Sequence, residues 1–116
     1  MFSGCTGLEW GPTDLPAQHL TSSCYRDMFN TCTSLRRSPL IHGTPSNSMD
    51  MQYMFRNCTT LSAIGVMFTS WGSNDATYYW VDGVPSTGTR IFQKYSALAT
   101  EYGPSRIPSG WTVRNQ

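Results

Sequence analysis

The four cysteines are the residues best placed to do chemistry in this sequence, and their spacing decides which chemistry is open to them. Cys5, Cys24, Cys32 and Cys58 are all widely separated, the nearest two being Cys24 and Cys32. A tetrahedral metal centre usually draws on close Cys-x-x-Cys pairs, and none occurs. Disulfides stay open for an exported protein. However, side chains at equivalent places in a stacked repeat point in parallel directions, which suits disulfide geometry poorly. Buried free thiols, used as small apolar fillers, are the expected state. His19 and His42 are the only histidines, and neither stands in a recognisable nucleophile–base–acid pattern. Asp82-Gly83 lacks the alternating carboxylates of a calcium loop, and no glycine pattern fits a phosphate cradle. Asn57-Cys58-Thr59 matches a glycosylation sequon but falls inside a motif expected to be core. The expectation is a chain with no enzymatic activity, no metal and no cofactor.

Binding is the chemistry the remaining residues offer. Trp71, Tyr78, Tyr79 and Trp80 are flat aromatics of the kind that stack on sugar rings or anchor interfaces. The plainer expectation is that they are core: in a strand Tyr78 and Trp80 would point inward and Tyr79 outward. Trp71 and Tyr79 are the candidates this cluster supplies for a binding surface. Arg36 and Arg37 supply a second, because repeat proteins commonly bind along a strand ladder. They are also the only adjacent cations among the Lys and Arg residues. With a formal net charge of +1 and 13% charged residues, about half the usual share, the chain has no basic patch for a nucleic-acid partner. No stretch approaches the roughly 18 apolar residues of a membrane span, and Met1 to Cys5 does not read as a secretory signal.

The elements that must position these residues follow from an internal repeat. The string Met-Phe-x-x-Cys-Thr-x-Leu occurs at Met1–Leu8, Met28–Leu35 and Met54–Leu61, so its starts at Met1, Met28 and Met54 are almost evenly spaced. The interval falls in the range of roughly 20–29 residues typical of a leucine-rich coil, with a short strand on one face and a helical or irregular segment on the other. Cys24, Tyr25, Met28 and Phe29 fall at i, i+1, i+4 and i+5, which predicts a short helix. Strands are expected at Leu8–Trp10, Leu35–Arg37 and Leu61–Ile64, with Pro12, Pro16, Pro39 and Pro45 outside them. Equivalent residues of adjacent coils then lie about 4.8 Å apart, so the Phe, Cys and Leu positions should form columns.

The string, preceded by Leu15-Pro16-Ala17-x-x-Leu20 and Cys24-Tyr25, closely resembles the BspA-like leucine-rich repeats of gut and oral bacterial surface proteins. The match is close from Leu15 to Leu35. It weakens in the next unit, where Asp50-Met51 stands for Cys-Tyr. Trp80-Val81-x-Gly83-Val84-x-x-x-Gly88-Thr89 and Ile107-Pro108-x-Gly110-Trp111-Thr112-Val113 are similar to the segment that closes such arrays. The resemblance implies a fold and a location more than an activity: an adhesin, a lipoprotein or a virion component of phages infecting these bacteria.

The expected fold is an α/β repeat, a short leucine-rich-repeat solenoid with a parallel β ladder in residues 1–61 and a mostly β C-terminal cap in residues 62–116. In the cap, strands are expected at Val66–Phe68, Thr77–Val81, Thr89–Phe92 and Trp111–Val113, with Trp71, Trp80 and Trp111 covering the final coil. The chain opens inside the first string, so Phe2, Cys5 and Leu8 are an expected assembly edge, covered by a preceding repeat segment or a partner chain. Two functions fit. One is a non-enzymatic, extracellular adhesion module with a protein or glycan ligand. The other is a structural virion or fibre component that assembles through the open edge.

Overall fold

The computed structural model describes residues 2–18, 20, 23–45, 49–72 and 75–115. Met1 and His19 therefore lie outside the described residues. The described chain forms one parallel sheet of five strands in sequential order: β1 (Asp14–Leu15), β2 (Arg37–Ile41), β3 (Ala63–Val66), β4 (Ile91–Lys94) and β5 (Thr112–Asn115). Asp14 pairs with Leu40, Arg37 with Ala63, Ala63 with Ile91, and Ile91 with Thr112. The interval between partners stays close to that of the repeated string as far as Ile91 and shortens only at the last strand. The parallel ladder thus runs on past Leu61 to β5.

The strands begin later than expected. Trp10 makes only an isolated bridge to Arg37, and the first two strands lie at 14–15 and 37–41. Pro39, expected outside the strands, sits inside β2 at a register shift between Arg37 and Leu40. A bulge leaves one residue unpaired, so proline's missing N–H costs no ladder bond there. Ser38 Oγ repairs the gap by accepting the Gly65 N–H at 3.1 Å.

The expected α-helix does not form, and the described residues contain none. The segments between strands are rows of tight turns instead. Met28, Asn30 and Cys32 donate to the carbonyl three residues back at 3.0–3.1 Å. The alternate groups, on Tyr25, Asp27, Phe29 and Thr31, donate at 2.7–2.9 Å across to Asp50, Gln52, Met54 and Arg56 of the next layer. The same alternation repeats from Met51, Tyr53, Phe55 and Asn57 to Ala76, Tyr78, Trp80 and Asp82. An α-helix would take every N–H for itself; here half of them join the layers. The turns close on residues with positive φ four apart, at Ser23, Asp27 and Thr31, then Met49, Tyr53 and Asn57, then Tyr79 and Gly83. Over so short a segment a period of four cannot be told from the helical period of about 3.6, which is why Cys24 to Phe29 imitates a helix.

The predicted strand Thr77–Val81 belongs to such a turn row. Its N–H groups alternate between the row and the layer beyond, with Trp80 bonded to Thr77 and Val81 to Pro104. The core fills the space between turns and sheet. Phe29 is stacked between Phe2 (5.4 Å, 10°) and Phe55 (5.6 Å, 3°), and Trp80 continues the column at 5.8 Å. Leu35, Leu61, Ile41, Ile64, Val66 and Phe92 close it from the strand side.

Candidate ligand-binding face

Alternation along the strands sends one set of side chains into the core and the other onto an open face. Ile41, Ile64, Val66 and Phe92 are buried, whereas Arg37, Ala63, Gln93, Thr112 and Arg114 are partly or fully exposed. Two rows cross this face. One runs Trp10, Arg37, Ala63, Ile91, Thr112, and the other runs Asp14, Leu40, Gly65, Gln93, Arg114. Both rows dip at β3, where Ala63 and Gly65 have almost no side chain. The dip is a groove of about 650 Å³ between Leu40 and Gln93, closed at one end by Trp10. A second groove of about 490 Å³ lies alongside, lined by Arg36, Arg90, Thr60 and Thr89, and shares Trp10, Arg37 and Ala63 with the first.

Trp10 is the most exposed large hydrophobic residue described, at 60%. Its ring is backed by the Arg36 guanidinium at 6.0 Å, and Arg36 Nε donates to Glu9 Oε1 at 3.0 Å. Arg90 turns inward, donating to the carbonyls of Thr87 and Leu61, both at 2.6 Å. Arg37 has no side-chain partner among the described residues. Arg36 and Arg37 border the open face, Arg37 as the first residue of β2 and Arg36 just before the strand rather than within it, while Trp10 is a surface residue that the sequence motifs do not pick out. The available signal is that Trp10 is the one tryptophan inside the repeated half of the chain.

Of the aromatic candidates, Trp71 is corrected. It is 4% exposed, packs edge-on against Phe68 and Trp80, and donates Nε1–H to Ala99 O at 2.8 Å. A ring so enclosed has no face left for a ligand. Tyr79 is exposed on the turn side, stacked on Tyr78 at 4.4 Å. The close Tyr79 hydroxyl and, after it, partial desolvation raise the Tyr78 phenol above its ordinary value. Phe2, Cys5 and Leu8 lie together on the first layer: Cys5 is exposed, and Phe2 and Leu8 are half-buried.

None of the four cysteines is in a disulfide, but only Cys32 and Cys58 are buried; Cys5 and Cys24 are exposed. The buried thiols donate to the carbonyls of Phe2 (2.9 Å) and Phe29 (3.1 Å), one layer back. Burial, with Cys32 close by, pushes Cys58 up to about 12, and burial raises Cys32 as well. Such thiols are poor nucleophiles. His42 Nε2 lies 2.5 Å from Asp14 Oδ1, a contact the spacing does not reveal, and it ties β1 to the end of β2. Among the described residues no three His, Cys, Asp or Glu side chains converge as a metal site, and no helix is long and apolar enough to cross a membrane.

Comparison with known proteins returns no matching family, no matching curated protein and no matching solved structure.

Proposed function

We propose that this protein is a non-enzymatic recognition module, a leucine-rich-repeat-type solenoid of a bacterial cell-surface protein, which binds a glycan on the open face of its parallel sheet. The observation that carries the reading is the double groove over Ala63 and Gly65, with an exposed aromatic ring and an unpartnered guanidinium at its junction. Flat aromatics and planar hydrogen-bonding groups are the usual means of holding sugar rings at modest cost in side-chain ordering. The near-constant register between the first strands, together with the Met-Phe-x-x-Cys-Thr-x-Leu string, supports the solenoid assignment. Screening the intact chain against arrayed glycans and host matrix proteins tests the reading. Glycan signals that disappear in Trp10→Ala support it. Signals unaffected by that change would move the site elsewhere.

A second reading, a virion or fibre component assembling through its first layer, is favoured by one observation. Among the described residues Phe2 has a ring partner on one side only, and Cys5 is exposed where its counterparts Cys32 and Cys58 are buried. Another layer of the same kind, from a preceding repeat segment or a partner chain, would cover both. Sedimentation at rising concentration tests this: association abolished by Phe2→Glu favours it, and a monomer throughout counts against it.

A further inference from the structure

We propose that the ligand is an acidic oligosaccharide of the uronic-acid type, with Arg37 holding a sugar carboxylate while Trp10 stacks on a sugar ring. This rests on the glycan-recognition role above and adds the chemical class of the ligand.

Charge on the groove walls is the first support. Arg36 is engaged by Glu9, and Arg90 by the Thr87 and Leu61 carbonyls. The carboxylates on the flanking segment are engaged as well: Glu9 by Arg36, and Asp14 by His42. Among the described residues, Arg37 is the groove-lining cation whose guanidinium has no partner, and it borders both grooves. One free planar fork matches one carboxylate, which it can hold bidentately. A densely sulfated chain would instead need several free cations in a row, and of the three arginines that line the grooves two are already engaged.

The platform is the second support. Trp10 is exposed yet held, because Arg36 lies over its ring and Glu9 fixes Arg36. A ring positioned before binding loses little freedom when a ligand arrives.

The groove floor is the third. It crosses strands whose neighbours lie on both sides in the sheet, so it offers no free main-chain edge along which an extended peptide could add a strand. Recognition falls to side chains: the Gln93 amide and the Thr13 hydroxyl beside the apolar strip of Leu40, Ala63 and Ile91. That mix suits a sugar with one apolar and one hydroxylated face.

The test titrates the intact chain with oligosaccharides of galacturonic, glucuronic and mannuronic acid, each beside its methyl-esterified form, which keeps the ring and removes the charge. At least one acid form should bind roughly ten- to a hundred-fold more tightly than its ester, the range expected of one charged hydrogen-bonded pair. Arg37→Gln should erase that preference without moving the thermal midpoint. Trp10→Ala should weaken acid and ester alike. Equal affinity for acid and ester in every pair, or an acid preference that survives Arg37→Gln, overturns the acidic-ligand inference and leaves glycan recognition standing. Absence of binding to every acidic and neutral glycan overturns both readings. The acid–ester comparison uses the unmodified protein, so the test does not depend on either variant folding.

Discussion

Removing the ring of Phe29 should cost far more than removing that of Phe2, although both belong to one column. Phe29 is fully buried, with aromatic neighbours at 5.4 and 5.6 Å on its two faces. Truncating a core Phe to Ala costs about 3–5 kcal/mol, and the loss of two ring contacts worth about 0.5–1.5 kcal/mol each places Phe29→Ala in the upper part of that range. Phe2 is half-buried with one ring neighbour, so Phe2→Ala should cost about 1–2 kcal/mol. For 116 residues, an unfolding entropy near 2.1 cal/mol/K per residue makes about 4.5 kcal/mol a fall of about 18 °C in Tm, against about 4–8 °C for Phe2→Ala. Urea denaturation and calorimetry measure both. Phe29→Leu, which keeps bulk and loses the stack, should fall between them and secures the comparison if the alanine variant is too unstable to fold. A coupling of about 1 kcal/mol between Phe29→Leu and Phe55→Leu in a double-mutant cycle would locate the energy in the ring contact. Equal losses for Phe2→Ala and Phe29→Ala, or a loss below about 1 kcal/mol for Phe29→Ala, would refute the stacked-layer account.

Three further predictions test other parts of the structure. Thr31 is β-branched yet holds φ at +62°, where the next layer uses Asn57; Thr31→Asn should stabilise by roughly 0.5–1 kcal/mol in chemical denaturation. Gly83 (φ +78°) has the Asn57 side chain where a Cβ would go, so Gly83→Ala should destabilise by about 1–2 kcal/mol or more. Cys58 holds its proton in the folded state to about 12 against an ordinary 9.0. The resulting stabilisation is complete below about pH 9 and is lost as pH rises toward 12, at up to roughly 1.4 kcal/mol per pH unit. Denaturation across that range should show the slope, and Cys58→Ala should reduce it to the smaller part contributed by other raised groups such as Cys32.

The repeat string makes the stacked Phe and Leu positions legible because a fixed spacing is a property of the sequence itself. What it cannot reveal is the backbone of the turn rows. Positive φ at Ser23, Asp27, Met49 and Tyr53 has no signature in residue type, since glycine occupies none of these positions. The layer after Leu61 is hidden for a related reason. Asn57 is followed one period later by Gly83, and Cys58 by Val84, whose N–H bonds to Val81 as the Cys58 N–H bonds to Phe55. The geometry repeats while the letters change, because any small residue that tolerates positive φ, and any small apolar one, fills those places. Trp10 and Arg37 become neighbours only through the bridge between one layer and the next, so the candidate site is legible as residues but not as a place.

The division of the layer into two halves explains why a site can sit where it does. The repeated string supplies the inter-layer hydrogen bonds, the ring column and the thiol contacts, and these fix the spacing of the layers. The outward strand positions carry none of that work, so along one row the layers present Trp10, Arg37, Ala63, Ile91 and Thr112 in turn. Small residues at the centre of the row and large ones at its end make a groove without disturbing the core beneath. Substitutions on this face should therefore change what is bound and leave stability within about 0.5 kcal/mol. Gly65 offers the sharpest test: a Cβ there would meet Leu40 Cδ1 at 3.2 Å, a contact the end of that side chain can yield. Gly65→Val should fill the groove floor and abolish ligand binding while the protein stays folded. If Gly65→Val binds glycans as well as the unmodified chain does, the groove is not the site.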